Sequence, residues 1–362
     1  MTANFNPEKQ LLRIDGLSVK FDTSAGLVRA ADDISFELYP EETLALVGET
    51  GCGKSVVASA IMRILPKNAL VSGSIAFLGQ DLLALSEKEM SDIRGRDLAI
   101  VFQNPSLSLN PIIRVALQVA EPLQVHGDIN GIHGGIHGGI HGGIHGGIRG
   151  GILGGILGGI LGGIRGGIHS RMSRIRSLSA AEDMLGRLGL KEKGLGQMYP
   201  FQYSGGMNQR AMIATSMMLS PKVLIADEPS KGLDSDLALE VMEEMRGIKD
   251  QLGSSLLLIT HDLALARRFS DRMAVMYCGQ ILEMGVCEDI FTDPLHPYTK
   301  ALIRCLPENG FHPIPGISPS MIQPPDGCRF SPRCPYCQEI CKSRKPPDLV
   351  SCHNREVRCW LF

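Results

Sequence analysis

The sequence predicts an α/β fold with buried parallel strands at its centre, and three observations carry that prediction. The first is Gly48-Glu-Thr-Gly-Cys-Gly-Lys-Ser55, a G-x-x-x-x-G-K-S pattern between an apolar run, Thr43 to Val47, and a helical run, Val56 to Leu65. The second is a pair of short apolar runs, Val223 to Ala226 and Leu256 to Ile259, each ending in polar or charged residues. The third is the segment Leu11 to Leu38, which reads as antiparallel strands ahead of the glycine loop.

The glycine loop is the element that the others serve. Glycines let the backbone turn so that successive N–H groups point at phosphate oxygens, and the following helix N-terminus adds favourable partial charge. Gly48, Glu49, Thr50, Gly51, Cys52, Gly53, Lys54, Ser55 and Val56 are therefore candidate nucleotide-binding residues. Lys54 is expected to reach the β- and γ-phosphates, and the Ser55 hydroxyl to hold Mg²⁺. Ala58, Ile61, Met62 and Leu65 recur at helical spacing, and Pro66 stops the helix.

Composition sets outer limits. The 362 residues allow two domains, or one with appendages, and the 44% hydrophobic content suffices for a core. A net charge of −2 and a single Trp give no sign of nucleic-acid binding. Met1 to Gln10 is polar, so no secretory signal is expected, and no run reaches the roughly 18 apolar residues of a membrane span. The ten cysteines then belong to a reducing compartment, where burial or metal binding is favoured over disulfides.

In chain order, Leu12, Ile14, Leu17, Val19 and Phe21 form a first strand, and Ile34, Phe36 and Leu38 a second. Phe21, beside the polar turn Asp22 to Gly26, is either an adenine-stacking ring or an ordinary strand aromatic. Gly73 to Gly79 reads as a strand, Leu82 to Arg94 as a helix, and Leu98 to Gln103 as a strand ending in an amide that can reach Mg²⁺ or a γ-phosphate. From Gly131 to Ile168 a four-residue Gly-Ile repeat intervenes. Half glycine, at about 1 kcal/mol each against helix formation, it reads as low-complexity sequence without a stable fold. His133, His137, His141 and His145 offer a weak Ni²⁺ or Zn²⁺ site, but a tolerated repeat expansion is the favoured reading. Arg165 with Arg171, Arg174 and Arg176 reads as a solvated basic run rather than an RNA-binding segment.

Ser179 to Leu190 is an amphipathic helix. Ser204-Gly-Gly-Met-Asn-Gln-Arg210 leads into another, Ala211 to Leu219, with Ser204 as N-cap and a second anion site on the same physics. Asp227 and Glu228 end a strand, one suited to Mg²⁺ and the other to polarising the attacking water. A helix, Leu237 to Leu252, follows Asp234, and His261 ends the next strand, placed to hydrogen-bond a γ-phosphate.

Together these residues resemble the ATPase subunits of ABC transporters. Gly48 to Ser55 is similar to Walker A, Gln103 to the Q-loop, Ser204-Gly205-Gly206 with Gln209 to the signature, and Val223 to Glu228 to Walker B. Gly232-Leu-Asp234 is similar to the D-loop and His261 to the switch histidine. The tail segments Pro294 to Leu302, Gly327 to Pro335 and Val357 to Trp360 resemble oligopeptide/dipeptide/nickel importer ATPases. Glu41 or Glu42 stands where the family usually has Gly, Ser230-Lys231 stands where Thr-Thr is common, and the repeat interrupts the helical subdomain.

The resemblance implies a RecA-like P-loop NTPase core with an antiparallel β subdomain, a helical subdomain and a Cys-rich C-terminal tail. Expected boundaries are 1–270 for the ATPase domain, with the helical subdomain at about 104–203, and 271–362 for the tail. The family implies ATP and Mg²⁺ as ligands, with Glu228, His261, Lys54 and Gln103 catalytic and Ser55, Gln103 and Asp227 around Mg²⁺. It also implies a head-to-tail pairing with a second ATPase subunit, identical or paralogous, across which Ser204, Gly205 and Gly206 meet the γ-phosphate. Two transmembrane permease subunits, and indirectly an extracytoplasmic solute-binding protein, complete an importer at the cytoplasmic face of the membrane. A soluble ABC-type ATPase would lack the His-Pro-Tyr-Thr tail, and a metal-cluster sensor without turnover has no need of Glu228 and His261. Six cysteines fall in the tail, a region rich in Pro and poorly equipped to order itself by burial. The family pattern picks out Cys328, Cys334, Cys341 and Cys359 as ligands of a [4Fe–4S] cluster, with zinc the alternative and unligated thiols the bland reading. Cys337 and Cys352 leave the ligand set open.

Overall fold

The computed structural model describes residues 10–126, 168–352 and 355–362. The repeat before Ile168, with its four histidines and Arg165, lies outside the described residues, as does the polar stretch 1–9. The early strands are β1 (Leu12–Thr23), β2 (Gly26–Leu38), β3 (Thr43–Val47), β4 (Ala69–Phe77), β5 (Gln80–Asp81) and β6 (Leu98–Val101). The later ones are β7 (Val223–Asp227), β8 (Ser255–Thr260), β9 (Arg272–Tyr277), β10 (Gln280–Val286), β11 (Val350–Cys352) and β12 (Arg355–Val357).

The chain divides into two compact units. One comprises the described residues through Ala84 with Ile225–Glu228 and Ser255–Phe362, the other the described residues of Leu85–Leu224 with Pro229–Ser254.

In the first unit, an antiparallel sheet runs in the order β2-β1-β4-β5. Leu12, Ile14, Leu17 and Val19 of β1 are buried, with Ile14 opposite Phe36 on one side and Ile75 on the other. This is the alternation expected of a sheet with one covered face. A second sheet of the unit runs β11-β12-β10-β9-β3-β8-β7. β3 pairs in parallel with both β8 and β9 and buries all five residues, which explains its unbroken apolar sequence. Burial of side chains the size of Leu44, Leu46 and Val47 contributes about 1.5–3 kcal/mol each.

Beyond His261 the sequence reading assigned no elements, and here the structure adds a helix, Leu263–Phe269, and the antiparallel pair β9 and β10. The tail also departs from expectation. It has no apolar run of its own, yet it orders by burial, because widely spaced side chains dock on a core already present. Tyr298 and Phe330 are almost fully buried and pack with Tyr277, at ring-centroid distances of 4.5 Å (Tyr277–Tyr298) and 5.4 Å (Tyr277–Phe330). They share one core with Ala45 and Val47 of β3.

In the second unit, the helix expected over Leu82 to Arg94 is confined to Glu87–Ile93, because Ser86 and Glu89 form a capping box that fixes its start. The helix expected over Ser179 to Leu190 is the C-terminal part of a longer one, Ile168–Arg187, with Arg174 and Arg176 exposed. The helix expected from Ala211 begins earlier, as Gly205–Met217. β6 lies beside the start of β7, where the Val223 amide donates to the Asp97 carbonyl (3.1 Å).

Glu41, one of the two positions where the resembling family has glycine, holds φ at +63° in the turn between β2 and β3. A side chain there costs about 1–2 kcal/mol. Glycine removes that strain but loses about 0.5–1 kcal/mol of unfolded-state entropy. Glu41→Gly should therefore raise stability by up to about 1.5 kcal/mol in chemical denaturation. A clear loss of stability would show that the Glu41 side chain itself holds the turn.

Candidate active site

The loop between β3 and the helix Lys54–Ile61 is shaped by close backbone approach. Gly48 has φ +155°, and a Cβ there would lie 2.0 Å from the Met276 carbonyl oxygen. Gly53 has φ +108°, and a Cβ would lie 2.0 Å from the Ala30 carbonyl oxygen. Only glycine fits either position, and the third, Gly51, has open space around it. The buried Lys54 ammonium donates to the carbonyls of Gly48 (2.8 Å) and Glu49 (3.1 Å), so it already sits within the turn. Ser55 Oγ donates to Asp227 Oδ1 at 3.0 Å, which brings the expected Mg²⁺ residues of Walker A and Walker B together. Thr50 and Gly51 are exposed, Val56 is half-buried, and the buried Cys52 thiol is pushed up by its desolvation.

Glu228 follows Asp227 with φ +53°, an uncommon conformation for a side chain with a Cβ. Its amide donates to the Ile259 carbonyl of β8 (2.8 Å), and its buried carboxylate accepts from His261 Nδ1 at 2.6 Å. A carboxylate acceptor takes the Nδ1–H of the half-exposed imidazole, which leaves Nε2 as the ring nitrogen not engaged by Glu228. Phe21, in contrast, stays in strand register opposite Val28 and Ala69 and is half-buried there.

The remaining expected residues belong to the second unit. Gln103 lies just past β6 and is half-buried. Ser204 caps the helix Gly205–Met217, its Oγ accepting from the Met207 amide (3.2 Å), and both Ser204 and Gly205 are exposed. Gly206 is buried, and a Cβ would lie 2.7 Å from Leu237 Cδ2. Gln209 is buried, with Nε2 lacking a partner among the described residues. Asp234 caps the helix Ser235–Leu252 by accepting from the Leu237 amide (3.0 Å).

Sequence reasoning missed the residues around Glu49. Its amide donates to Tyr298 Oη (3.2 Å), and its carboxylate accepts from Arg333 (2.9 Å) and Ser318 (2.6 Å). Tyr298 and Arg333 lie in tail segments marked only by resemblance, so their position was visible without their role.

The tail holds a second cluster. Cys328, Cys334, Cys341 and Cys359 line one small cleft with His296, Phe330 and Trp360. All four are free thiols, and burial pushes Cys328 up to about 12, with the neighbouring sulfurs adding to the shift. Cys337 and Cys352 do not line it. His296 is fully buried, and its Nδ1 accepts from the Tyr298 amide (2.9 Å), so the proton is on Nε2. That Nε2 has no partner among the described residues. No three His, Cys, Asp or Glu among the described residues are grouped so as to hold a metal ion.

A buried lysine within a glycine turn, opening a helix and joined to a strand-end carboxylate pair, defines a P-loop nucleotide-binding protein. The ABC transporter family matches residues 31–231, and the oligopeptide/dipeptide transporter C-terminal region matches residues 282–341. The chain is 36% identical over 361 residues to the dipeptide transport ATP-binding protein DppD of Bacillus subtilis, covering 98% of this chain and 95% of that protein. It is 33% identical over 351 residues to the oligopeptide transport ATP-binding protein OppD of Salmonella typhimurium, covering 95% and 92%. Among solved structures, the ATP-binding cassette MJ0796 bound to ADP and Pi has a similar fold, at TM-score 0.57 and 20% identity over 76% of this chain and 98% of that one. The chain belongs to the ABC transporter family and is an ABC-type ATPase.

The Gly53 contact yields a direct check. Gly53→Ala sets a methyl against rigid backbone at an unfavourable φ, so the loop must shift. MgATP affinity should fall at least tenfold in an equilibrium binding measurement, while Gly51→Ala, with space but φ +81°, should lose less.

Proposed function

We propose that this chain is the ATP-hydrolysing subunit that powers an importer of oligopeptides, dipeptides or a related small solute such as nickel. The observation that carries the reading is the Glu228–His261 pair at 2.6 Å, in the same unit as the glycine loop and joined to it through Asp227 and Ser55. A site that only sensed nucleotide would have no use for a buried carboxylate oriented by a histidine. The peptide class rests on the tail match and on the names of the relatives.

In this reading the backbone amides of 48–53 and Lys54 bind and orient the phosphates of ATP, whose γ-phosphoryl group is transferred to water. Ser55, Asp227 and Gln103 would hold Mg²⁺, which supplies charge neutralisation on the phosphate oxygens. Glu228 orients and accepts a proton from the attacking water, and His261, held by Glu228, contacts the γ-phosphate as a hydrogen-bond donor. Ser204 and Gly205 are exposed, as residues completing the site of a second, head-to-tail ATPase subunit must be. Phe21 stacks on the adenine, and Gln209 and Asp234 support the composite site. Two permease subunits dock near Gln103, at the cytoplasmic face of the membrane, and a solute-binding protein acts on the far side. No helix among the described residues is long and apolar enough to cross a membrane.

Glu228→Gln should retain MgATP binding and lose hydrolysis by about 10²–10⁴-fold in the assembled transporter, with peptide uptake lost in parallel. Hydrolysis at the wild-type rate would remove Glu228 from its role, and uptake that continued without hydrolysis would remove the chain from powering import.

For the tail cleft we propose an iron–sulfur group, supported by the cysteines that line it. Four thiols around one cleft match the cysteine count of a [4Fe–4S] cluster, and the unpartnered His296 Nε2–H is a donor suited to a sulfur acceptor. Zinc is the alternative, since four thiolates also suit it, and the lack of a closed ligand grouping among the described residues bears on both metals alike. Cys328, Cys334, Cys341 and Cys359 would be the ligands, and the role would be structural. Protein expressed and purified without oxygen should be brown, with iron and sulfide in equal amounts. Colourless protein lacking both, after expression with iron supplied, would refute this assignment.

A further inference from the structure

Glu49 is the first residue of the phosphate loop after Gly48, and the partners of its side chain do not come from the loop. Arg333 Nη1 donates to both of its carboxylate oxygens, at 2.9 and 3.1 Å. Ser318 Oγ donates to the same carboxylate at 2.6 Å, and Tyr298 Oη accepts the Glu49 amide at 3.2 Å. All three partners lie more than 240 residues away, the separations being 284, 269 and 249. Arg333 is itself fixed, its Nε donating to the Pro315 carbonyl (3.0 Å), its Nη2 to the Ile314 carbonyl (3.3 Å) and its Nη1 also to Tyr277 Oη (3.3 Å). Its side chain is 6% exposed and that of Glu49 30%, so the guanidinium is shielded while the carboxylate stays partly open to water. Arg329, four residues earlier, bonds to the Cys278 carbonyl and to Asp32, and the next amide, Gly279, donates to the Cys52 carbonyl of the loop (2.9 Å).

We propose that Arg333 is a positioning residue for nucleotide binding: through Glu49 it clamps the phosphate loop in its binding shape before ATP arrives. A loop rich in glycine has many conformations to lose on binding phosphate. A fixed guanidinium on its first side chain removes part of that loss in advance, which appears as affinity. The tail is thereby part of the nucleotide site. Arg333 lies between Cys328 and Cys334, so whatever orders the tail cleft also orders the clamp.

The test uses the full-length chain, with MgATP affinity measured calorimetrically and KM and kcat measured in the assembled transporter. Arg333→Met should raise the MgATP Kd by about ten- to a hundredfold, as expected for losing hydrogen bonds to a charged group. KM should rise with it, by more than kcat falls. Arg333→Lys, a point charge without the fork, should restore part of the affinity. Glu49→Gln should weaken binding similarly, and the double variant Glu49→Gln/Arg333→Met should bind no worse than the weaker single one. A purely structural tail would instead reduce the folded fraction and leave the Kd of the folded protein unchanged. A Kd within about twofold of wild type in folded Arg333→Met, or losses that multiply in the double variant, would overturn the proposal. If Arg333→Met does not fold, Ser318→Ala and Glu49→Gln carry the test, and unchanged affinity in both overturns it equally.

Discussion

The structure depends on the burial of β3. A strand with parallel neighbours on both sides and no exposed residue has one register and one exit, so the chain leaves it at a fixed point and in a fixed direction. The phosphate loop begins there. Gly48 lies against the Met276 carbonyl region of β9, and Gly53 against the Ala30 carbonyl of β2. The loop is thus confined by main chain on two sides, which explains why glycine is required at those positions beyond the need for an unusual φ.

The same sheet delivers the acid and base groups. β7 and β8 end side by side, and the Glu228 amide completes a bond to Ile259 at the cost of a left-handed φ. Such a conformation costs of order 1–3 kcal/mol and persists only where its surroundings enforce it. Here the enforcement is the β8 carbonyl on one side and His261 on the other. The strain turns the Glu228 carboxylate toward His261, while the preceding residue, Asp227, accepts from Ser55. Two adjacent carboxylates are in this way sent to two different partners.

The tail serves this arrangement without a core of its own. Tyr298 and, about thirty residues later, Cys328 and Phe330 are isolated apolar side chains that fill one cluster with β3 and β9. Around them, charged groups are satisfied in pairs, as with Arg358 on Asp33 (2.8 Å) and Arg272 on Glu42 (3.1 Å). Removing one partner of such a pair is costly, because the other charge is left poorly solvated.

Much of the site was legible in the sequence, because its chemistry is carried by residues close together in the chain. Gly48 to Ser55, Asp227-Glu228 and Ser204-Gly205-Gly206 each place their functional atoms by local geometry, and short-range pattern is what a sequence displays. The capping roles of Ser204 and Asp234 follow the same logic, though only the first was expected. Helix starts moved where a cap competed with hydrophobic spacing, as at Ser86. What only the tertiary structure decided is which distant residues meet. Arg333 and Tyr298 reach Glu49 across more than 240 residues, and four of six tail thiols line one cleft while two do not. No periodicity records such pairings, because long-range contacts are fixed by the packing of whole elements and not by the chain's local preferences.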